Sequence, residues 1–287
     1  MLFASMEAPG EIPSVDVPPI WGAAFTVLGI TVLWASVKIW AIAWQQSQQR
    51  QPFIDSRFFL RPPRVPLFAV IVALNWIGLI LLSKMLPQPT NPVVNLEGVI
   101  RDNLVVTALI AFLVWTGVRD RRWLIRLGFR MDGLSNQFRY GVLGFVAALV
   151  PVYVCRILTS PYQSEEVMHP LLKVVQEPSF GLELFQVGLL AVILAPIQEE
   201  LVFRVILQSW LERFLSPVAA VVVSASLFAA VHGFPDAVGL MPLALILGYV
   251  YQRRRSYLAV VVLHACFNAF NLLLALAMSA AGLDAPS

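Results

Sequence analysis

The chain has 287 residues, of which 59% are hydrophobic and 13% charged, with a formal net charge of +3. A soluble globular domain is roughly half apolar and about a quarter charged, so this composition excludes one and describes an all-α, polytopic membrane protein. Cys155 and Cys266 lie in apolar runs and form no CxxC pair, which supports neither a disulfide framework nor a cysteine metal site. The basic residues are dispersed among loops, and no nucleic acid partner is expected.

Residues 1–19 carry Glu7, Glu11 and Asp16 and no Lys or Arg, so the positively charged start of a signal peptide is missing. A membrane span needs about 20 mainly apolar residues. Eight runs approach this, at roughly 20–44, 67–86, 103–118, 140–158, 181–201, 217–232, 237–252 and 257–281. Arg50, Arg57, Arg61 and Arg64 fall in the first loop, six arginines in 119–139, Arg213 in the fifth-to-sixth connection and Arg253-Arg254-Arg255 in the seventh-to-eighth. The alternate loops are poor in basic residues. Basic loops face the cytoplasm, so the expected topology is a bundle of about eight spans in the cytoplasmic membrane with both termini outside.

Arg122, Arg126 and Arg130 are spaced four apart, and 119–139 reads either as an interfacial helix against anionic lipid or as a plain positive-inside loop. Lys38 and Lys84 are expected to snorkel, and Arg156 lies near the outer end of the fourth run. Asn75, at mid-run, is expected to hydrogen-bond between helices.

Polar groups concentrate after residue 195. Glu199 and Glu200 are adjacent inside an apolar run, and an ionisable group at membrane depth marks a cavity or a partner. Glu200 and Arg204 share a helical face and can pair, while Glu199, rotated by about 100°, faces elsewhere. Phe228 and His232 are four apart, as are His264 and Asn268, and Asn271 continues that stripe. His169, in an outside loop, is expected to be incidental. The fifth and sixth runs turn back near Leu215-Ser216-Pro217, which puts Glu199 and His232 level at about 25 Å from the turn. A hairpin protruding roughly 10 Å into the cytoplasm brings His264 to that depth too, with Gly233-Phe234-Pro235-Asp236 within or near the membrane.

A carboxylate beside an imidazole can deprotonate and orient water, and a second His with an Asn supplies donors for an oxyanion. This set suits amide hydrolysis, with Glu199, His232, His264 and Asn268 catalytic and Glu200, Arg204 and Phe228 supporting them. Glu199, His232 and His264 also give the His₂Glu ligand count of some zinc peptidases. No HExxH is present, however, and no spare carboxylate is then placed as base. No cofactor is favoured, and Zn²⁺ is the alternative.

The three motifs Glu199-Glu200-x-x-x-Arg204, Phe228-x-x-x-His232 and His264-x-x-x-Asn268, in this order, resemble those of the CPBP family, the Abi or type II CAAX prenyl-protease group. The resemblance covers about residues 120–275, including Leu124 to Gly133, which looks like the family's stretch before its first core helix. It implies an all-helical bundle with an intramembrane catalytic cavity open to the cytoplasmic side. Glu199 and His232 would activate water, and His264 and Asn268 would form the oxyanion site. It also implies a peptide or protein substrate, prenylated or not; eukaryotic members remove three residues after a prenylated cysteine. Two parts are expected: variable helices over 1–118 and a catalytic core over 119–287. The competing readings are a non-catalytic scaffold or bacteriocin-immunity factor, as some relatives are, and an ion or proton transporter, against which the chain shows no internal repeat.

Overall fold

The computed structural model describes residues 19–49, 54, 63–86, 95–118, 120–162 and 181–280. His169, the acidic loop 163–180, Arg50, Arg57, Arg61, Arg119 and the N-terminal residues 1–18 lie outside them. The described residues are helical throughout, without strands. The helices are α1 (Pro19–Gln48), α2 (Leu67–Met85), α3 (Leu96–Gly117), α4 (Arg121–Arg126) and α5 (Leu134–Thr159), then α6 (182–211), α7 (Pro217–His232), α8 (Asp236–Arg254) and α9 (Tyr257–Ala280). Five of them, α1, α2, α3, α5 and α9, are long and apolar enough to cross a membrane. Of the other three long runs, α7 has 16 residues, α8 carries Asp236, Arg253 and Arg254, and α6 is interrupted.

The packing centre is α5, which lies against α1, α8 and α9, while α7 pairs with α8. Helices approach closely where side chains are small, as membrane interfaces require. A Cβ at Gly141 of α5 would stand 2.7 Å from the Ala259 carbonyl of α9. Pro151 lies inside α5 and has no N–H, so the Ala147 carbonyl loses its intrahelical donor. The indole Nε1 of Trp40 on α1 donates to that carbonyl at 2.8 Å. One residue before the proline, the Val150 N–H donates to the hydroxyl of the fully buried Ser36 at 3.3 Å. In lipid no water can make these bonds, so α1 completes the broken backbone of α5.

The arginine-rich connector departs from the helical-stripe expectation. Its helix ends at Arg126, because Gly128 takes φ 97°, and a Cβ there would meet the Tyr257 N–H at 2.8 Å. The turn is pinned to the α8–α9 corner. The Tyr257 N–H donates to the Gly128 carbonyl at 3.1 Å, and the Tyr251 hydroxyl donates to the Leu127 carbonyl at 2.9 Å. Arg130 is buried at 6% exposure rather than facing lipid; it pairs with Asp132 at 3.0 Å and donates to the Arg254 carbonyl. Trp123 is flanked by the guanidinium groups of Arg64 and Arg126.

Three further expectations change. Helix α3 begins at Leu96 rather than near 103, with the Asn95 side chain accepting from the Gly98 N–H at 3.0 Å, so Glu97, Arg101 and Asp102 belong to it. Asn75 is exposed on α2, with no bond to another described helix. Lys84 does more than snorkel: its Nζ lies 3.5 Å from the His232 carbonyl, at the last turn of α7, where a cation is favourable.

We expect Trp40→Phe to lower the stability of the protein in detergent by about 1–2 kcal/mol, the cost of orphaning a buried carbonyl. A thermal unfolding curve unchanged from wild type would overturn that account of α1.

Candidate active site

The carboxylate-bearing helix α6 is not a plain α-helix. Leu182–Gly188 leads into a π-helical stretch at Leu189–Leu194, an α turn at Ala195–Glu200 and a second π stretch at Leu201–Gln208. Pro196 lies inside the continuous helix α6 and has no N–H, so a carbonyl one turn earlier loses its intrahelical donor. Wide turns of this kind are rare and occur often at functional sites. Here two of them bracket the single turn carrying Gln198, Glu199 and Glu200.

Glu200 and Arg204 are fully buried at 0% exposure, with Arg204 Nε 3.1 Å from Glu200 Oε2, at ion-pair distance but off the hydrogen-bond axis. The pair expected from the spacing is therefore present. It also has partners that the spacing does not disclose. Glu200 Oε1 accepts from His264 Nδ1 at 2.9 Å, so the same carboxylate ties α6 to α9. Arg204 donates through Nη1 to Ser224 Oγ at 3.5 Å, and its guanidinium lies 4.9 Å from the centre of the Phe228 ring. Ser224 in turn donates to the Phe203 carbonyl at 2.8 Å. Ser224, Phe228 and His232 form one stripe at four-residue spacing, so the sequence carried the signal for Ser224 one turn before the motif.

Phe228 is a fully buried hub. Its ring centre lies 4.8 Å from that of His232, 5.6 Å from His264 and 5.2 Å from Phe203. It thereby separates the buried arginine from the two imidazoles and fixes the planes of all three.

Glu199 faces a different direction from Glu200, as the helical rotation predicts. Its Oε2 lies 4.0 Å from His232 Nε2 and 4.0 Å from His264 Nε2, and has no hydrogen-bond partner among the described residues. Side-chain exposures of 18% for Glu199 and 24% for His232, against 4% for His264, put the first two at the open side of the group. The tautomers follow from the partners. His232 Nδ1 sits 2.8 Å from the Phe228 carbonyl, which can only accept, so Nδ1 carries the hydrogen. His264 Nδ1 donates likewise to Glu200. Both rings therefore turn Nε2 toward Glu199.

Asn268 is placed less simply. Its Nδ2 donates to the Ala191 carbonyl at 2.7 Å, inside the first π stretch of α6. One amide hydrogen thus ties α9 to α6, leaving its second amide hydrogen for a further acceptor. Neighbouring polar residues missed from sequence also hold α6. Asn103 of α3 donates to Gln198 Oε1 at 2.7 Å, and the Tyr257 hydroxyl donates to the Ile197 carbonyl at 2.6 Å. Both signals were single polar residues in apolar runs, with no spacing to connect them.

The residues that would hold a zinc ion are Glu199, His232 and His264. Their donor types suit it, and each imidazole is oriented through Nδ1, as metal-bound histidines are. Among the described residues, however, no group of three or more His, Cys, Asp or Glu side chains is arranged to hold a metal ion.

Residues 181–270, from the start of α6 through most of α9, match the family model described as Rce1-like, type II CAAX prenyl endopeptidase. The chain is similar to that family over these residues. The match is consistent with the CPBP/CAAX protease family that the three motifs resemble. Comparison with curated proteins and with solved structures gives no match.

Arg204→Ala leaves Glu200 buried without its cation, and we expect a stability loss of about 3–5 kcal/mol. The double change Glu200→Gln with Arg204→Met removes both charges and should recover part of that loss. Equal melting temperatures for wild type and Arg204→Ala would refute the pairing.

Proposed function

We propose that this chain is an intramembrane endopeptidase of the CAAX-protease type, in which Glu199 and His232 activate the water that attacks a peptide bond. The observation that carries the reading is the convergence of Glu199 Oε2 and two Nε2 atoms, each 4.0 Å away. That separation is too long for a direct hydrogen bond and is one that a bridging water could span, with bonds of about 2.8 Å to each side. Glu199 accepts the proton of the attacking water, and His232 Nε2, turned inward by its bond to Phe228, orients that water. As the carbonyl oxygen gains charge, His264 in its protonated form, with Nδ1–H on Glu200, and the free amide hydrogen of Asn268 stabilise it. Glu199 then returns the proton to the leaving amine.

Glu200 and Arg204 do not take part in proton transfer in this scheme. They hold α6 against α7 and α9, so that Glu199 arrives between the two rings. The Rce1-like match supports the reaction class at family level, and it also favours peptidase over transporter or scaffold. In our reading α6, α7 and α8 cross the membrane with the five longer helices, giving eight spans in a cytoplasmic membrane and basic loops inside. The division into helices over 1–118 and a catalytic core over 119–287 belongs to the same proposal. So does a substrate that is a peptide or protein, prenylated or not.

A zinc-dependent version is the second reading, and it rests on the donor types of Glu199, His232 and His264. Zinc would sit on Glu199, His232 and His264 and would polarise the carbonyl or acidify the water. Elemental analysis together with turnover after chelation separates the two, because undiminished activity of metal-free protein eliminates zinc.

For the reaction itself, purified wild-type protein should cleave members of a peptide and prenylpeptide library. Glu199→Ala and His232→Ala should each lose about 10²–10⁴-fold in kcat/KM, with unfolding curves close to wild type. Activity retained in both variants would overturn the mechanism. Proteomics of cells carrying wild type or Glu199→Ala then identifies the substrate. For the topology, a cysteine introduced at Gln88 should react with an impermeant reagent on intact cells, and one at Arg213 only after permeabilisation; the reverse pattern would invert the orientation.

A further inference from the structure

Residues Ile197 to Glu200 of α6 pass the candidate site in one turn, and three of the four are tied to other helices. The Ile197 carbonyl accepts from the Tyr257 hydroxyl of α9 at 2.6 Å, and Glu200 accepts from His264 of α9 at 2.9 Å. Gln198, buried at 4% exposure, is held by α3. Asn103 Nδ2 donates to Gln198 Oε1 at 2.7 Å, and Gln198 Nε2 donates back to the Asn103 carbonyl at 3.4 Å. The two bonds close a ring between one side chain of α6 and both the side chain and the backbone of α3. The fourth residue is Glu199, whose Oε2 has no hydrogen-bond partner among the described residues. Successive helical residues project about 100° apart, so Gln198 and Glu200 flank Glu199 on either side. A turn gripped through both neighbours cannot rotate about the helix axis, and its middle residue is aimed. The grip matters because this turn is weakly held by its own helix: Pro196 lacks an N–H, and π-helical stretches lie before and after it.

Amide pairs between membrane helices commonly serve as plain ties. This one falls next to Glu199, and it comes from a helix that lies outside residues 181–270. Helix α3 is seated on the bundle elsewhere too, where Leu96 clusters with Val187 of α6 and Ala275 of α9, so Asn103 is carried on a fixed support. We propose that Asn103 is a positioning residue for the reaction: through Gln198 it sets the rotation of the turn that aims Glu199 at the two Nε2 atoms. The inference rests on the protease reading and adds to it a working part drawn from the variable helices. A misplacement of about 1 Å can cost on the order of 10²-fold in rate, so a bond lost one residue from the base acts on kcat.

The test uses full-length protein in detergent and the library peptide that wild type cleaves best, with kcat and KM measured separately. Asn103→Leu and Gln198→Leu should each lower kcat about 10–100-fold. KM should stay within about twofold of wild type, the signature of an interaction used in the transition state. Combining the two should cost no more than the larger single loss, because the same ring of bonds is broken only once. The double variant also leaves no amide unpaired, so it answers for either single variant that fails to fold. Thr107→Val, one turn further along the same face of α3, removes a hydroxyl that has no hydrogen-bond partner among the described residues and should leave kcat unchanged. Wild-type kcat in the double variant, a loss confined to KM, or single losses that multiply in the double would each overturn the proposal, while cleavage that still depends on Glu199 keeps the protease reading. A loss in Thr107→Val equal to that in Asn103→Leu would reduce α3 to a packing role and also overturn it. If wild type shows no Glu199-dependent cleavage of any peptide, both readings fall together.

Discussion

The site is built on the fully buried pair of Glu200 and Arg204. Two charges withdrawn from water gain stability only when their remaining hydrogen-bonding capacity is met with good geometry. The cation lies on the Phe228 ring and reaches Ser224 of α7, and the anion accepts from His264 of α9. Helices α7 and α9, which carry His232 and His264, are therefore both bound to this pair on α6. An apolar substitute could fill the same volume but could not set the tautomer of His264 or the orientation of three helices around one carboxylate.

Glu199 gains its position from that arrangement. It is one residue from the buried anchor, on a turn bracketed by two π stretches, and its Oε2 finds no hydrogen-bond partner among the described residues. Adjacent carboxylates thus occupy different situations: Glu200 is ion-paired with Arg204 and accepts from His264, and Glu199 is left facing two Nε2 atoms.

The same principle, a backbone or charge unmet within its own helix and met by another, recurs through the bundle. Pro151 breaks α5, and Trp40 and Ser36 of α1 repair it. The Leu127–Gly128 turn offers carbonyls that Tyr251 and Tyr257 occupy, which locks the α8–α9 corner beneath the site. In a medium without water these bonds decide which helices neighbour which, whereas apolar contact with lipid or protein discriminates weakly.

The sequence by itself determined the membrane class, the helical periodicity, the Glu200–Arg204 pair and the concentration of Glu199, His232, His264 and Asn268 in the last four runs. These follow from local spacing, because residues four apart on a helix are neighbours whatever surrounds them. It also brought Glu199 level with His232, since antiparallel helices joined by a short turn share one rise per residue. Tertiary structure alone decided that Arg130 is buried rather than lipid-facing, that Asn75 is exposed, that Lys84 reaches the end of α7, and that Glu200 binds His264 across 64 positions of sequence. Those outcomes depend on which helix lies opposite and at what rotation. A single chain encodes that rotation only through the summed packing of all its helices, so no local spacing displays it.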